Sequence, residues 1–139
     1  MHEKKLVQRF IQELRKDKGL SSYGEKEVRN NLIMGAVDTL LLSEDLTSMR
    51  KKFTCSNCGY EKDITVKTQA EADNLSERCP ECNEILKETS SMDLADEFVE
   101  LAEEMNTDVE FISTETEEGN QIYRAFGGIA AILRYYVDY

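Results

Sequence analysis

Ala36-Val37-Asp38-Thr39-Leu40-Leu41-Leu42, closed by the polar Ser43-Glu44-Asp45, is the stretch from which the fold is read. A short apolar run bounded by Gly35 on one side and charged residues on the other is the pattern of a buried strand. Upstream, Leu6, Val7, Phe10, Ile11 and Leu14 recur at helical spacing, and Gly19 follows as a stop. A second helix is expected to begin near Ser22-Tyr23-Gly24-Glu25, where Ser22 and Glu25 have capping-box spacing. Its apolar face would use Val28, Leu32 and Ile33, and Gly35 would end it. Downstream, Leu94, Phe98, Leu101 and Met105 form one helical stripe, with Ser90 or Ser91 as its cap. Val109-Glu110-Phe111-Ile112 reads as a strand and Gly119 to Phe126 as a helix. The last strand is expected from Ile129 to about Val137. It is apolar in both alternation registers at its start, as a central strand would be, and Arg134 and Tyr136 emerge on one face near its end.

Residues 49–91 break this rhythm. They hold all four cysteines, the one proline (Pro80) and short β-prone runs such as Asp63-Ile64-Thr65-Val66. Removing them leaves helix, helix, strand, helix, strand, helix, strand. That order predicts a layered α/β sandwich around a small mixed sheet, built from residues 1–48 and 92–139, with 49–91 inserted as a minidomain.

The whole chain has 139 residues, 40% of them hydrophobic and 32% charged, which suits one compact domain with a small appendage. No apolar run approaches the roughly 18 residues of a membrane span, and Met1-His2-Glu3-Lys4-Lys5 leads into no signal core. A soluble, cytoplasmic domain is expected. The net charge of −11 is concentrated, because residues 93–118 carry eleven acids and no base. Duplex nucleic-acid binding is disfavoured, since phosphate neutralisation needs the opposite sign. Asp93, Asp96, Glu97, Glu100, Glu103 and Glu104 lie opposite the apolar stripe, either as a solvated face or as a docking surface for a basic partner.

Cys55-Ser56-Asn57-Cys58 and Cys79-Pro80-Glu81-Cys82 are two C-x-x-C pairs twenty residues apart. Each can place two thiolates on one tight turn, as a tetrahedral ion with metal–sulfur bonds of about 2.3 Å requires. Gly59 after the first pair allows the backbone bend that brings amides toward sulfur. One structural Zn2+ held by Cys55, Cys58, Cys79 and Cys82 is the expected reading. Iron in a rubredoxin-like site, two disulfides and redox C-x-x-C chemistry are the alternatives. Four thiolates would close the coordination sphere to a catalytic water.

Little else carries chemistry. Gly127-Gly128 closes a helix instead of opening one, so it reads as a C-cap and turn and not as a phosphate loop. There is no G-x-x-x-x-G-K-[ST] and no nucleophile beside a histidine. The chain is not expected to be an enzyme.

Glu3-Lys4-Lys5-Leu6-Val7-Gln8-Arg9-Phe10, Tyr23-Gly24, Met34 to Leu41 and above all Ala125-Phe126-Gly127-Gly128-Ile129-Ala130-Ala131-Ile132-Leu133-Arg134-Tyr135 resemble the C-terminal domain of archaeal and eukaryotic class-1 peptide chain release factors. The likeness covers essentially the whole chain. The four cysteines, and an end at Tyr139 without an acidic tail, resemble the archaeal members. The chain contains neither the GGQ nor the NIKS tripeptide with which the complete factors trigger hydrolysis and read stop codons. It therefore resembles an isolated, monomeric third domain, a fragment beginning at an added methionine. The resemblance implies docking to a translational GTPase (elongation factor 1 alpha in archaea), to the ABC-type ribosome recycling ATPase and to the ribosome. The family's GTPase-binding elements match about Leu6 to Val28 and the terminal Ile132 to Tyr135 here, giving Leu6, Arg9, Phe10, Tyr23, Ile132, Leu133, Arg134 and Tyr135 as candidate contacts. The family's fold is shared with kink-turn-binding ribosomal proteins, which makes RNA-kink binding the alternative function. Gly24-Glu25-Lys26-Glu27 lacks the asparagine those proteins carry there.

Overall fold

The structure is a computed structural model that describes residues 2–68, 71 and 77–137. Its elements are α1 (His2–Leu14), β1 (Ser21–Tyr23), α2 (Glu25–Ile33), β2 (Val37–Ser43), β3 (Met49–Thr54), β4 (Glu61–Val66), β5 (Lys87–Asp93), α3 (Leu94–Glu104), β6 (Asp108–Ile112), α4 (Glu117–Phe126) and β7 (Ile129–Leu133). They divide into two units, Met1–Leu46 with Phe98–Tyr139, and Thr47–Glu97.

The first unit is a four-stranded sheet in the order β1-β7-β2-β6. β2 runs parallel to β6, while β7 is antiparallel to both β2 and β1, so the sheet is mixed as expected. Every residue of β7 is buried, and so are all of β2 except Asp38. Alternation along these strands sends Leu41, Ala130 and Ile132 to one face. There they meet Val7 and Phe10 of α1, Ile122 of α4 and Ile112 in one apolar cluster. Phe10 closes its edge against the ring of Phe126 at 5.0 Å. Leu40, Leu42 and Ala131 face the other way and are buried too, and α2, which packs against β1, β2 and β7, buries Val28 and Leu32. Burying a ring such as Phe10 contributes about 1.5–3 kcal/mol.

Four local expectations change. Residues 21–23 form an edge strand paired with β7, Ser22 opposite Ala131, instead of the start of a helix. The Ser22 hydroxyl accepts a buried hydrogen bond from Asn31 Nδ2 at 2.9 Å, so it does not cap α2; Gly24, at φ 93°, stands at the N-cap with no side-chain bond. Asn31 accordingly replaces Ile33 on the buried face of α2, and Ile33 is 54% exposed. Ser90 and Ser91 lie in β5 opposite Lys52 and Lys51, and α3 begins directly after that strand with no cap turn. Finally, β7 stops at Leu133; the Arg134 amide then donates to the Ala36 carbonyl at 2.7 Å and the chain leaves the sheet. Gly127 is as expected, a left-handed C-cap at φ 71° that a β-carbon would disfavour.

The second unit is a three-stranded antiparallel sheet, β4-β3-β5, with β3 in the centre. Its core is small. Phe53 and Leu86 pack with two cysteines, and Tyr60 and Ile64 lie half-buried against them. No helix among the described residues is long and apolar enough to cross a membrane.

Candidate metal centre and docking residues

β3 and β4 pair without interruption from Met49↔Val66 to Thr54↔Glu61, and the turn that joins them is the first cysteine knuckle. The Cys55 amide donates to the Tyr60 carbonyl at 2.7 Å, and the Gly59 amide donates to the Cys55 carbonyl at 2.9 Å. The second knuckle repeats this geometry at the same offsets. The Cys79 amide donates to Glu84 O and the Asn83 amide to Cys79 O, both at 2.8 Å. Gly59 (φ 81°) and Asn83 (φ 64°) are both left-handed, and glycine and asparagine are the residues that take this conformation most readily. The second knuckle is framed by the single bridge Arg78↔Ile85, with Arg78 Nη1 donating to Asn83 O at 3.1 Å.

The two turns bring the four sulfurs within 4.8 Å of one another. Cys55 lies 3.4 Å from Cys82, Cys58 lies 3.4 Å from Cys79, and Cys58 lies 3.8 Å from Cys82. A tetrahedral ion with bonds of about 2.3 Å sets its ligands about 3.8 Å apart, so the donor set fits such an ion. Each of those three close pairs joins opposite knuckles. Cys55 and Cys79 are buried, Cys82 is half-buried and Cys58 is exposed.

The electrostatics also call for a cation. The Cys58 and Asn57 amides aimed at the Cys55 sulfur bring that thiol down to about 7, against the opposing effect of burial. At Cys58 the Tyr60 amide pulls the same way, but Cys79, burial, Cys55 and Cys82 outweigh it and push the thiol up to about 12. Four thiolates this close repel one another, and a divalent ion offsets that repulsion. Four sulfur donors suit zinc or iron and leave no position for water.

The candidate docking residues split by burial. Phe10, Ile132 and Leu133 are core residues with almost no accessible surface, and Leu6 packs at the rim of the same cluster. Phe10, Ile132 and Leu133 shape the surface from behind, while Leu6 keeps part of its own surface. Arg9, Tyr23, Arg134 and Tyr135 are exposed. Arg9 lies 4.0 Å from Asp38, and Tyr23 sets its ring edge-on to Phe126 at 5.0 Å. Arg134 is engaged rather than free: its Nη2 donates to the carbonyls of Met105 (3.3 Å) and Asn106 (2.9 Å), beyond the last turn of α3. The loop after α1 and the end of β7 meet where the Leu133 amide donates to Leu20 O at 2.9 Å. A cavity of about 180 Å³ lies beside that junction, walled by Leu14, Asp17, Ser21, Leu133 and Tyr136. Sequence reasoning missed the bonds of Arg134 and the role of Asn83. The second was signalled by the position of Asn83 one residue after a C-x-x-C, where Gly59 stands in the first knuckle.

The family described as eRF1 domain 3 matches residues 1–137. The chain is 70% identical to peptide chain release factor subunit 1 of Methanobrevibacter smithii over 137 residues, covering 99% of this chain and 33% of that protein. The solved C-terminal domain of a peptide chain release factor from Methanosarcina mazei is 47% identical with a TM-score of 0.88, covering 97% of this chain and 83% of that one. At 21% identity and a TM-score of 0.56, the fold also recurs in a solved assembly of ribosome-bound archaeal Pelota and ABCE1, over 99% of this chain and 27% of that one. The chain spans about a third of the length of the curated relatives it matches. It belongs to the archaeal class-1 peptide chain release factors, as their third domain.

Proposed function

We propose that this domain is the protein-docking module of a class-1 release factor, acting in the cytoplasm during translation termination. It binds the translational GTPase that delivers the factor, elongation factor 1 alpha in archaea, and later the ABC-type recycling ATPase on the ribosome. Other parts of the factor read the stop codon and trigger peptidyl-tRNA hydrolysis, so the domain itself is not an enzyme. One structural Zn2+ held by Cys55, Cys58, Cys79 and Cys82 organises the inserted minidomain. The observation that carries the reading is 70% identity to a release factor subunit across almost the entire chain. The occurrence of the same fold in an assembly of Pelota, ABCE1 and the ribosome supports the ATPase and ribosome parts. The exposed Arg9, Tyr23 and Tyr135 and the junction of the α1 loop with β7 supply the docking surface.

Calorimetric titration of the domain with purified archaeal elongation factor 1 alpha tests this. Saturable one-to-one binding, with no binding to a kink-turn RNA, is expected. RNA binding without GTPase binding would replace the reading with the RNA-binding alternative, and Glu25 and Glu27 in the first turn of α2 argue against that outcome.

A further inference from the structure

We infer that the cysteine cluster is a site of reversible oxidation, entered at Cys58 and closed by a disulfide that bridges the two knuckles and expels the metal. This rests on the metal reading above. Cys58 is the exposed member of the four, Cys55 and Cys79 are buried and Cys82 is half-buried, so a solvent-borne oxidant meets Cys58 first. A bound metal ion would hold Cys58 as a thiolate, the form that reacts with peroxides. Zinc undergoes no redox change itself, so the sulfur supplies both electrons.

The chemistry balances with a peroxide as the oxidant. The Cys58 thiolate attacks one peroxide oxygen, the O–O bond breaks, Cys58 becomes a sulfenic acid and hydroxide leaves. A second thiolate then attacks the Cys58 sulfur, the S–S bond forms and the S–OH oxygen leaves as hydroxide. Two protons from solvent complete two waters, so two thiolates and one H2O2 give one disulfide. Cys79 at 3.4 Å and Cys82 at 3.8 Å approach Cys58 from the opposite knuckle, while Cys55 of its own knuckle lies within 4.8 Å. A redox C-x-x-C motif would instead pair cysteines within one knuckle. Loss of two of four sulfur ligands discharges the ion, while the cross-link keeps the turns together for rebinding after reduction.

The test is peroxide titration of the metal-loaded domain, with released Zn2+ read by a chromophoric chelator and disulfides mapped by mass spectrometry. One Zn2+ released per Cys58–Cys79 or Cys58–Cys82 bridge, reversed by dithiothreitol and added Zn2+, is expected. Cys58→His keeps a ligand but removes the exposed thiol, and should slow release at least tenfold. Ser56→Ala, exposed in the same knuckle and no ligand, should release at the parent rate. Bridges confined to Cys55–Cys58 or Cys79–Cys82, or release unaffected by Cys58→His, would overturn the inference. Should a histidine variant fail to load metal, the bridge map of the unmodified domain decides alone. Protein that takes up no Zn2+ before oxidation contradicts the metal reading instead.

Discussion

The two units of this chain solve the same problem with different means. In the larger one, β7 and β2 are covered on one face by α1 and α4, and the strand, helix and ring contacts close a continuous apolar cluster. In the smaller one, the described residues bury Phe53, Val66, Leu86, Leu94 and two of the cysteines. A unit the length of Thr47–Glu97 seldom supplies enough burial to offset its own conformational entropy. The difference teaches that the larger unit closes its core with helices laid on a sheet, while the described core of the smaller one is built around its sulfur cluster.

The comparison breaks most readily at the cysteines. Cys79→Ala should abolish metal uptake and leave residues 47–97 without ordered structure, since a structural zinc site contributes about 10–16 kcal/mol to folding. The larger unit should keep its near-native amide spectrum, and two-dimensional NMR checks both statements. Phe10→Ala acts in the opposite unit and should cost about 3–5 kcal/mol in urea unfolding, with zinc content unchanged.

Smaller effects sharpen the picture inside the larger unit. Asn31→Ala leaves the buried Ser22 hydroxyl without its donor and should cost about 1–3 kcal/mol, loosening β1 in hydrogen exchange before the rest of the sheet. Arg134→Glu should lower stability by about 1 kcal/mol, because it exchanges donors at the C-terminal end of α3 for a negative charge. Weakened GTPase binding by this variant counts for docking where its amide spectrum shows that it remains folded. Arg9→Glu, away from α3, provides the comparison.

Much of this was legible in the sequence, and the pattern of what was not is physical. The buried strand at Val37–Ser43, the α4–β7 turn at Gly127 and the cysteine spacing all carry strong local signals: apolar continuity, a left-handed glycine and C-x-x-C repetition. β1 escaped because three residues hold no period, and its Ser22 looks like a cap until the buried Asn31 appears behind it. The start of α3 escaped because Ser90 and Ser91 suit a cap equally well as an exposed edge strand. Among the docking residues, adjacency in sequence and the family pattern group Phe10, Ile132 and Leu133 with Arg134 and Tyr135. Burial divides them, and alternation alone does not say that both faces of β7 are covered.

The most direct measurement is residue-resolved hydrogen exchange of the zinc-loaded domain before and after addition of a strong chelator. The account predicts that protection in 49–54, 61–66 and 87–93 collapses to near-unfolded rates while 37–43 and 129–133 keep theirs. Collapse of both sheets together, or of neither, would contradict the claim that one unit is held by its apolar core and the other by its metal.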